Sequence, residues 1–182
     1  MKDERAPVSG AAVWKMKQGD VEVQGIGDRT ILRRNRLGLI CSVQCPGSVL
    51  IKTFDAIRAL RDAAIPVAGG FHSPMEKGCL EFLLRGEQPV ILVQAKGLGR
   101  PRLPEPWRAA IDAARLLALS PFGDDVRRTT KAHAQTRNDF IASLATDVLI
   151  PHASPGGKAE ALARTNLERG KPLFTLDDDE GS

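Results

Sequence analysis

The chain has no tyrosine, only six phenylalanines and two tryptophans among 182 residues, and three cysteines. Each scarcity excludes something. Cys41, Cys45 and Cys79 make neither an even disulfide framework nor a paired zinc pattern, because no second half with matching histidines accompanies the Cys-x3-Cys spacing. Buried or loop thiols are expected. His72, His133 and His152 stand far apart, so no metal site is expected, and no cofactor is expected either. No apolar run approaches the roughly 18 residues of a membrane span. The N-terminus, Met1-Lys-Asp-Glu-Arg5, lacks the apolar segment of a secretory signal, so a cytoplasmic location is expected. So few aromatics also limit base stacking, for which Phe71, Trp107 and Phe122 are the loop candidates.

What is present suits one domain with a sizeable core. The formal charge of +4 is modest. Its distribution says more: Arg29, Arg33, Arg34 and Arg36 precede the first strong strand, Arg100 and Arg102 flank a Gly/Pro loop, and Arg127, Arg128 and Lys131 lead into a helix carrying Arg137. As phosphate contacts these would add salt-dependent affinity, and as a solvated charge run they would add none. Residues 1–20 show no strong period and read as an extension, although Ala11-Ala-Val-Trp14 can pack on the domain. Residues 177–182 read as an acidic tail beyond a domain spanning 21–176.

From residue 37 onward, short apolar runs alternate with longer amphipathic segments, the pattern of βα units building a parallel sheet. Strands are expected at Leu37–Val43, Ile65–Ala68, Pro89–Ala95, Val148–Ile150 and Leu173–Leu176, with a weaker one at Leu117–Leu119. Helices are expected at Ser48–Ala63, Met75–Arg85, Glu105–Leu116, Thr130–Ala145 and Ala159–Glu168. Val21–Gly25 reads as an edge strand. Gly25-Ile-Gly27 reads as a turn, since it lacks the third glycine of a dinucleotide fingerprint. The fold class is therefore α/β, three-layer and Rossmann-like, a mostly parallel sheet flanked by helices.

The most informative local pattern is Ser154-Pro-Gly-Gly-Lys158, between an apolar run and a helical segment. Glycines let backbone N–H groups approach a phosphate, and a helix N-terminus favours an anion. The same glycines would serve equally to make a plain βα turn. Open α/β sheets bind ligands beyond the carboxyl ends of their strands, which directs the five βα loops to one edge. The candidate ligand residues are Ser42, Gly69, Gly70, Arg137, Asn138, Gly156, Gly157 and Lys158. Ser42 can bond a phosphate or cap the next helix, and His72 can touch a ligand from its loop. No catalytic residue is assigned.

The order of segments resembles the DprA/Smf family of DNA-processing proteins, whose Rossmann-like domain is shared with the LOG phosphoribohydrolases. The resemblance rests on Gln24-Gly-Ile-Gly-Asp28 before Leu37–Pro46, on Val67-Ala-Gly-Gly-Phe-His72, and on Leu103-Pro-Glu-Pro-Trp-Arg108. It continues through Thr136-Arg-Asn-Asp-Phe-Ile-Ala-Ser-Leu144 and Asn166–Phe174. Two loops depart from the pattern. Cys41-Ser-Val43 stands where the family has Gly-Ser-Arg, removing a guanidinium whose charge Lys158 can supply without its bidentate fork. Lys158-Ala-Glu160 stands where the LOG branch has Gly-Thr and then a catalytic glutamate. The resemblance implies a protein that binds single-stranded DNA or a nucleotide through its phosphates, with a role in DNA processing or recombination, and it is compatible with a homodimer. The alternatives are a LOG-like nucleoside monophosphate phosphoribohydrolase using Glu160, and a nucleotide sensor without DNA binding.

Overall fold

Four consecutive apolar residues, Val90–Val93, all buried, form the middle of the sheet, because a parallel strand covered on both faces has no solvent side to make polar. The computed structural model describes residues 12–99 and 103–176. In chain order the elements are β1 (Trp14–Gln18), β2 (Val21–Ile26), a 3-10 turn (Arg29–Arg33), β3 (Leu37–Leu39), α1 (Gly47–Asp62), β4 (Val67–Gly69), α2 (Pro74–Leu84) and β5 (Val90–Val93). They continue with α3 (Glu105–Asp112), β6 (Leu116–Ser120), α4 (Lys131–Leu144), β7 (Asp147–Ile150), α5 (Lys158–Glu168) and β8 (Leu173–Thr175). The sheet runs β1-β2-β6-β5-β4-β3-β7-β8. From β6 to β8 every pairing is parallel, and only β2 runs against the rest, antiparallel to both β1 and β6.

Successive residues of each strand face opposite sides, and the core divides accordingly. Leu39, Val67, Leu92 and Leu116 pack beneath α1, α2 and α3, against Ile57, Leu83 and Ile111. Ala68, Ile91, Leu117 and Val148 pack beneath α4 and α5, against Ile141, Leu144 and Leu162. Three layers result, as the α/β alternation implies. Among the described residues no helix is long and apolar enough to cross a membrane.

The N-terminal side departs from the sequence reading. Trp14–Gln18, inside the stretch read as an extension, is a strand of the sheet. Its tryptophan lies where Gly25 leaves space: a Cβ on that glycine would stand 2.2 Å from the ring. The indole Nε1 donates to the Gly27 carbonyl at 2.9 Å. With β1 in place, β2 is an interior strand rather than an edge, paired with β6 as well, and Gly25 and Ile26 continue it. Only Gly27, at φ 110°, turns the chain. The two-residue Gly19-Asp20 connection, with Gly19 at φ 59°, is the hairpin signal that marks β1 in the sequence.

Elsewhere the differences concern boundaries. The helix expected to reach Leu116 ends at Asp112, and Ala114 at φ 55° turns the chain into β6. That strand, weak by its short apolar core, is buried along all five residues. β3 stops at Leu39, four residues earlier than its apolar run, and Ile40 still donates to the Leu149 carbonyl. The acidic tail, most of the N-terminal extension, and Arg100 and Arg102 lie outside the described residues.

The strand order carries the functional consequence. From β3 the chain steps through β4, β5 and β6 in one direction, then returns to place β7 and β8 on the other side of β3. Loops after β3 and β7 thus leave the sheet toward opposite faces, and a crevice opens between them.

Candidate functional site

A cavity of about 400 Å³ occupies that crevice, at the carboxyl ends of β3 and β7 and beside the loop after β4. Two loops make its wall. The Ser42 N–H donates to the His152 carbonyl at 3.2 Å, and the Ser42 hydroxyl accepts from the Ser154 N–H at 3.0 Å. Ser42 therefore staples the β3 loop to the β7 loop and does not cap α1, whose N-cap is Pro46. The first turns of α4 and α5 both reach the cavity through Lys131, Gly157 and Lys158. Unsatisfied backbone N–H groups and the aligned peptide dipoles make such ends favourable to anions. The Lys158 ammonium donates to the Lys131 carbonyl at 3.2 Å, tying the two helix starts together.

Arg137 lies at the floor of the cavity, 7% exposed. Its Nε and Nη2 donate to the Asn138 side-chain oxygen at 3.1 and 2.9 Å. Nη1 has no acceptor among the described residues. Burial lowers the affinity of this guanidinium for its proton, and the Glu76 carboxylate opposes that shift. An arginine stays charged regardless, so the site holds a partly engaged cation out of water. Space for it exists because residue 70 is glycine: a Cβ there would stand 2.5 Å from the guanidinium carbon.

Glu76 shares this floor but is not a free anion. It closes a capping box with Ser73, accepting from the His72 and Ser73 N–H groups at 3.1 and 3.0 Å, while the Ser73 hydroxyl accepts from the Glu76 N–H at 3.2 Å. Against this one carboxylate the cavity presents Lys131, Arg137 and Lys158. Gln135 adds an open demand. Its side-chain nitrogen donates to Asp139 at 3.0 Å, whereas its Oε1 is buried and has no partner. The lining is thus cationic, with one acceptor waiting for a donor.

Of the eight residues singled out by sequence, Ser42, Arg137, Asn138, Gly157 and Lys158 line the cavity. Gly70 stands behind Arg137, and Gly69 lies under the Phe71 ring, where an added Cβ would meet it at 2.9 Å. Gly156, at φ 69°, makes the turn and does not line the cavity. Glu160 lies outside as well. Its carboxylate accepts from the Gly156 N–H at 2.5 Å and from Arg164 at 2.7 Å, both of which hold it below the ordinary carboxylate range. Sequence reasoning passed over Glu76 and Gln135. The Ser73-Pro-Met-Glu76 capping-box pattern marks the first; nothing local marks the second, whose significance is only its burial.

Of the aromatic candidates, Phe71 is buried in the core and Phe122 packs on His133 with ring centroids 5.0 Å apart. Trp107 borders a different cavity, which Arg137 does not line.

No family model matches the sequence, and no curated protein does. Solved structures do. DNA processing protein A from Helicobacter pylori superposes with a TM-score of 0.72 at 20% identity, over 92% of this chain and 77% of that one. DNA processing protein A (DprA) from Streptococcus pneumoniae gives 0.71 at 19% identity, over 87% of this chain and 56% of that one. The chain has the DprA fold. A molybdenum cofactor binding protein from Rippkaea orientalis shares the architecture more distantly, with a TM-score of 0.56 at 14% identity over 80% of this chain and 78% of that one. The Helicobacter pylori protein is described as binding single-stranded DNA. The loop after β3 presents Val43 to the cavity, whose positive charge comes from α4 and α5.

Two thiols near the site, half-buried Cys41 and buried Cys79, are held in the protonated form by their surroundings. Burial pushes Cys41 up to about 12, with the neighbouring Cys45 thiol and Glu76 adding to it. Cys79 is likewise pushed up to about 12, by burial and then by Glu76. In the unfolded chain such thiols ionise near 9.0. The folded state is therefore favoured by these groups below that pH, and the advantage is lost as pH rises from about 9 towards 12. Both cysteines should resist alkylation in the native protein at pH 8 and react promptly in urea, as mass spectrometry of iodoacetamide-treated samples would show. Equal labelling in both conditions would contradict the burial.

Proposed function

We propose that the protein binds single-stranded nucleic acid through its backbone phosphates, in the manner of a DNA-processing protein, by binding and not by chemistry. The observation that carries this reading is Arg137, a buried and only partly bonded guanidinium at the floor of the switch-point crevice. A planar fork of N–H donors matches phosphate oxygens. Lys131, Lys158 and two helix N-termini surround it with positive potential. The buried Gln135 Oε1 would accept from a base or sugar donor, completing a bond that the protein leaves open. Single-stranded DNA is the first candidate ligand. A cytoplasmic location and a homodimer belong to the same proposal, and sedimentation of the purified protein measures the second.

Phosphate contacts release counterions, so affinity for a single strand falls with salt at a logarithmic slope of about −0.7 for each phosphate neutralised. The test is fluorescence anisotropy of labelled oligothymidylate with the native protein and Arg137→Ala, at several salt concentrations and with mononucleotides as competitors. The native protein is expected to bind with a steep salt slope. Removing a desolvated, hydrogen-bonded charge costs about 2 kcal/mol or more, so Arg137→Ala should bind at least ~30-fold more weakly and with a shallower slope. No binding at low salt would refute the reading.

A further inference from the structure

A second cavity, about 630 Å³, lies on the same edge of the sheet, beyond β5 and β6 and under α3. That size falls within the range of small-molecule sites. Its wall is built before any ligand arrives. Gln24, 1% exposed, donates to Asp124 at 2.9 Å and accepts from the Leu98 N–H at 2.9 Å. Asp124 also accepts from the Gly99 N–H at 3.0 Å, and the Gly97 N–H donates to the Val126 carbonyl at 2.9 Å. The loops after β5 and β6 press so closely that a Cβ on Gly97 would stand 2.2 Å from the Gly123 carbonyl oxygen. One buried side chain thus fixes both loops.

The lining has two characters. Trp107 is half-buried, packed on the core with one side and bordering the cavity beside Leu98 and Leu103. Lys96 and Arg127, both exposed, supply two positive charges against the one carboxylate of Asp124, whose Oδ1 is held by Gln24 and Gly99. An aromatic wall with cations around it suits a flat ring bearing a phosphate.

The two cavities are neighbours. The first is bordered by the loop after β4 and the second by the loop after β5, and these strands pair in parallel, so their ends lie about 4.8 Å apart. Arg127 of the second cavity and Lys131 of the first stand four positions apart in the chain, at most about 14 Å when extended. Arg128 lies between them, its carbonyl 3.1 Å from His133 Nδ1.

We propose that the second cavity is a base subsite of the same single-strand track, in which one nucleobase stacks on Trp107 while Lys96 and Arg127 hold the adjoining phosphates. This rests on the single-strand reading above. It goes further by fixing a direction along the sheet edge, from the Arg137 crevice across Arg128 to Trp107. It also assigns recognition of the base face to a residue remote from that crevice.

The experiment compares thymidine monophosphate with oligothymidylates of about 4 and about 16 nucleotides, read by tryptophan fluorescence and by anisotropy, in the native protein, Trp107→Phe and Trp107→Ala. Long oligonucleotide should quench the native protein, and Trp107→Phe should lose that quench while keeping its affinity, since a smaller ring still stacks. Trp107→Ala should lose about 10-fold in affinity for the long strand and nothing for the mononucleotide, within the range found for single base stacks. Unchanged binding of the long strand by Trp107→Ala would overturn the subsite and leave the Arg137 reading standing. Quenching by the mononucleotide alone, uncoupled from strand length, would overturn the continuous track. Absence of oligonucleotide binding by the native protein would overturn both readings together.

Discussion

Gly70→Ala should weaken single-strand binding as severely as Arg137→Ala, by ~30-fold or more, while changing unfolding free energy by less than about 1 kcal/mol. The reason is volume. A Cβ at this position would fall 2.5 Å from the Arg137 guanidinium carbon, 2.6 Å from Nε and 2.9 Å from Nη1. Carbon atoms do not approach so closely, and something must move. What moves is the far end of a long, flexible side chain, so the sheet and α4 keep their places. Gly70 has no positive φ, and alanine adopts its backbone conformation without strain while restricting the unfolded chain. The guanidinium, however, leaves its position over Asn138 and no longer presents its fork to the crevice. Anisotropy and urea titration of the same preparation separate the two effects. Binding retained in Gly70→Ala would show that the guanidinium's position is not what holds the ligand.

The largest loss of stability is expected from Leu117→Ala, about 2–5 kcal/mol. Leu117 is fully buried on β6, which is paired with β5 on one side and β2 on the other. Its side chain belongs to the core layer beneath α4. Truncation removes buried methyl groups and leaves a hole that close-packed neighbours fill only partly. Measured against a typical total of about 5–15 kcal/mol, this is a large fraction. Leu167→Ala is the control: this α5 residue is 58% exposed and should change stability by no more than about 0.5 kcal/mol. Chemical denaturation midpoints check both, and a small effect at Leu117 would mean that β6 is not the interior strand described here.

That strand also shows where local pattern fails. Leu117–Leu119 offers only three apolar residues after a helical segment, and nothing nearby announces that strands will flank it on both sides. By contrast, Pro89–Ala95 declares itself through the unbroken apolar run Val90–Val93, and Ser73-Pro-Met-Glu76 declares the start of α2 through its capping box. β1 escaped the sequence reading, since residues 1–20 show no strong period; Gly19-Asp20 is its local hairpin signal, and its tryptophan fits only against a glycine in the partner strand.

The glycines of the candidate loops divide in the same way. Gly156 and Gly157 were legible as a turn leading into a helix, and they form one. Gly70 looked like another glycine for ligand approach, but it makes room for an arginine 67 positions later in the chain. The importance of Gln135 cannot be read from neighbouring residues, since an unpartnered oxygen is a property of its surroundings.

By itself, then, the amino-acid sequence determined the alternation of strands and helices, the three-layer class and the edge on which the loops gather. These follow from periodicity, capping and glycine, which act over a few residues. Only the tertiary structure decided the strand order, the interior place of β2 and β6, and the meeting of Arg137 with Gly70 and Glu76. Those depend on which distant surfaces exclude water together, and hydrophobic burial has no direction along the chain.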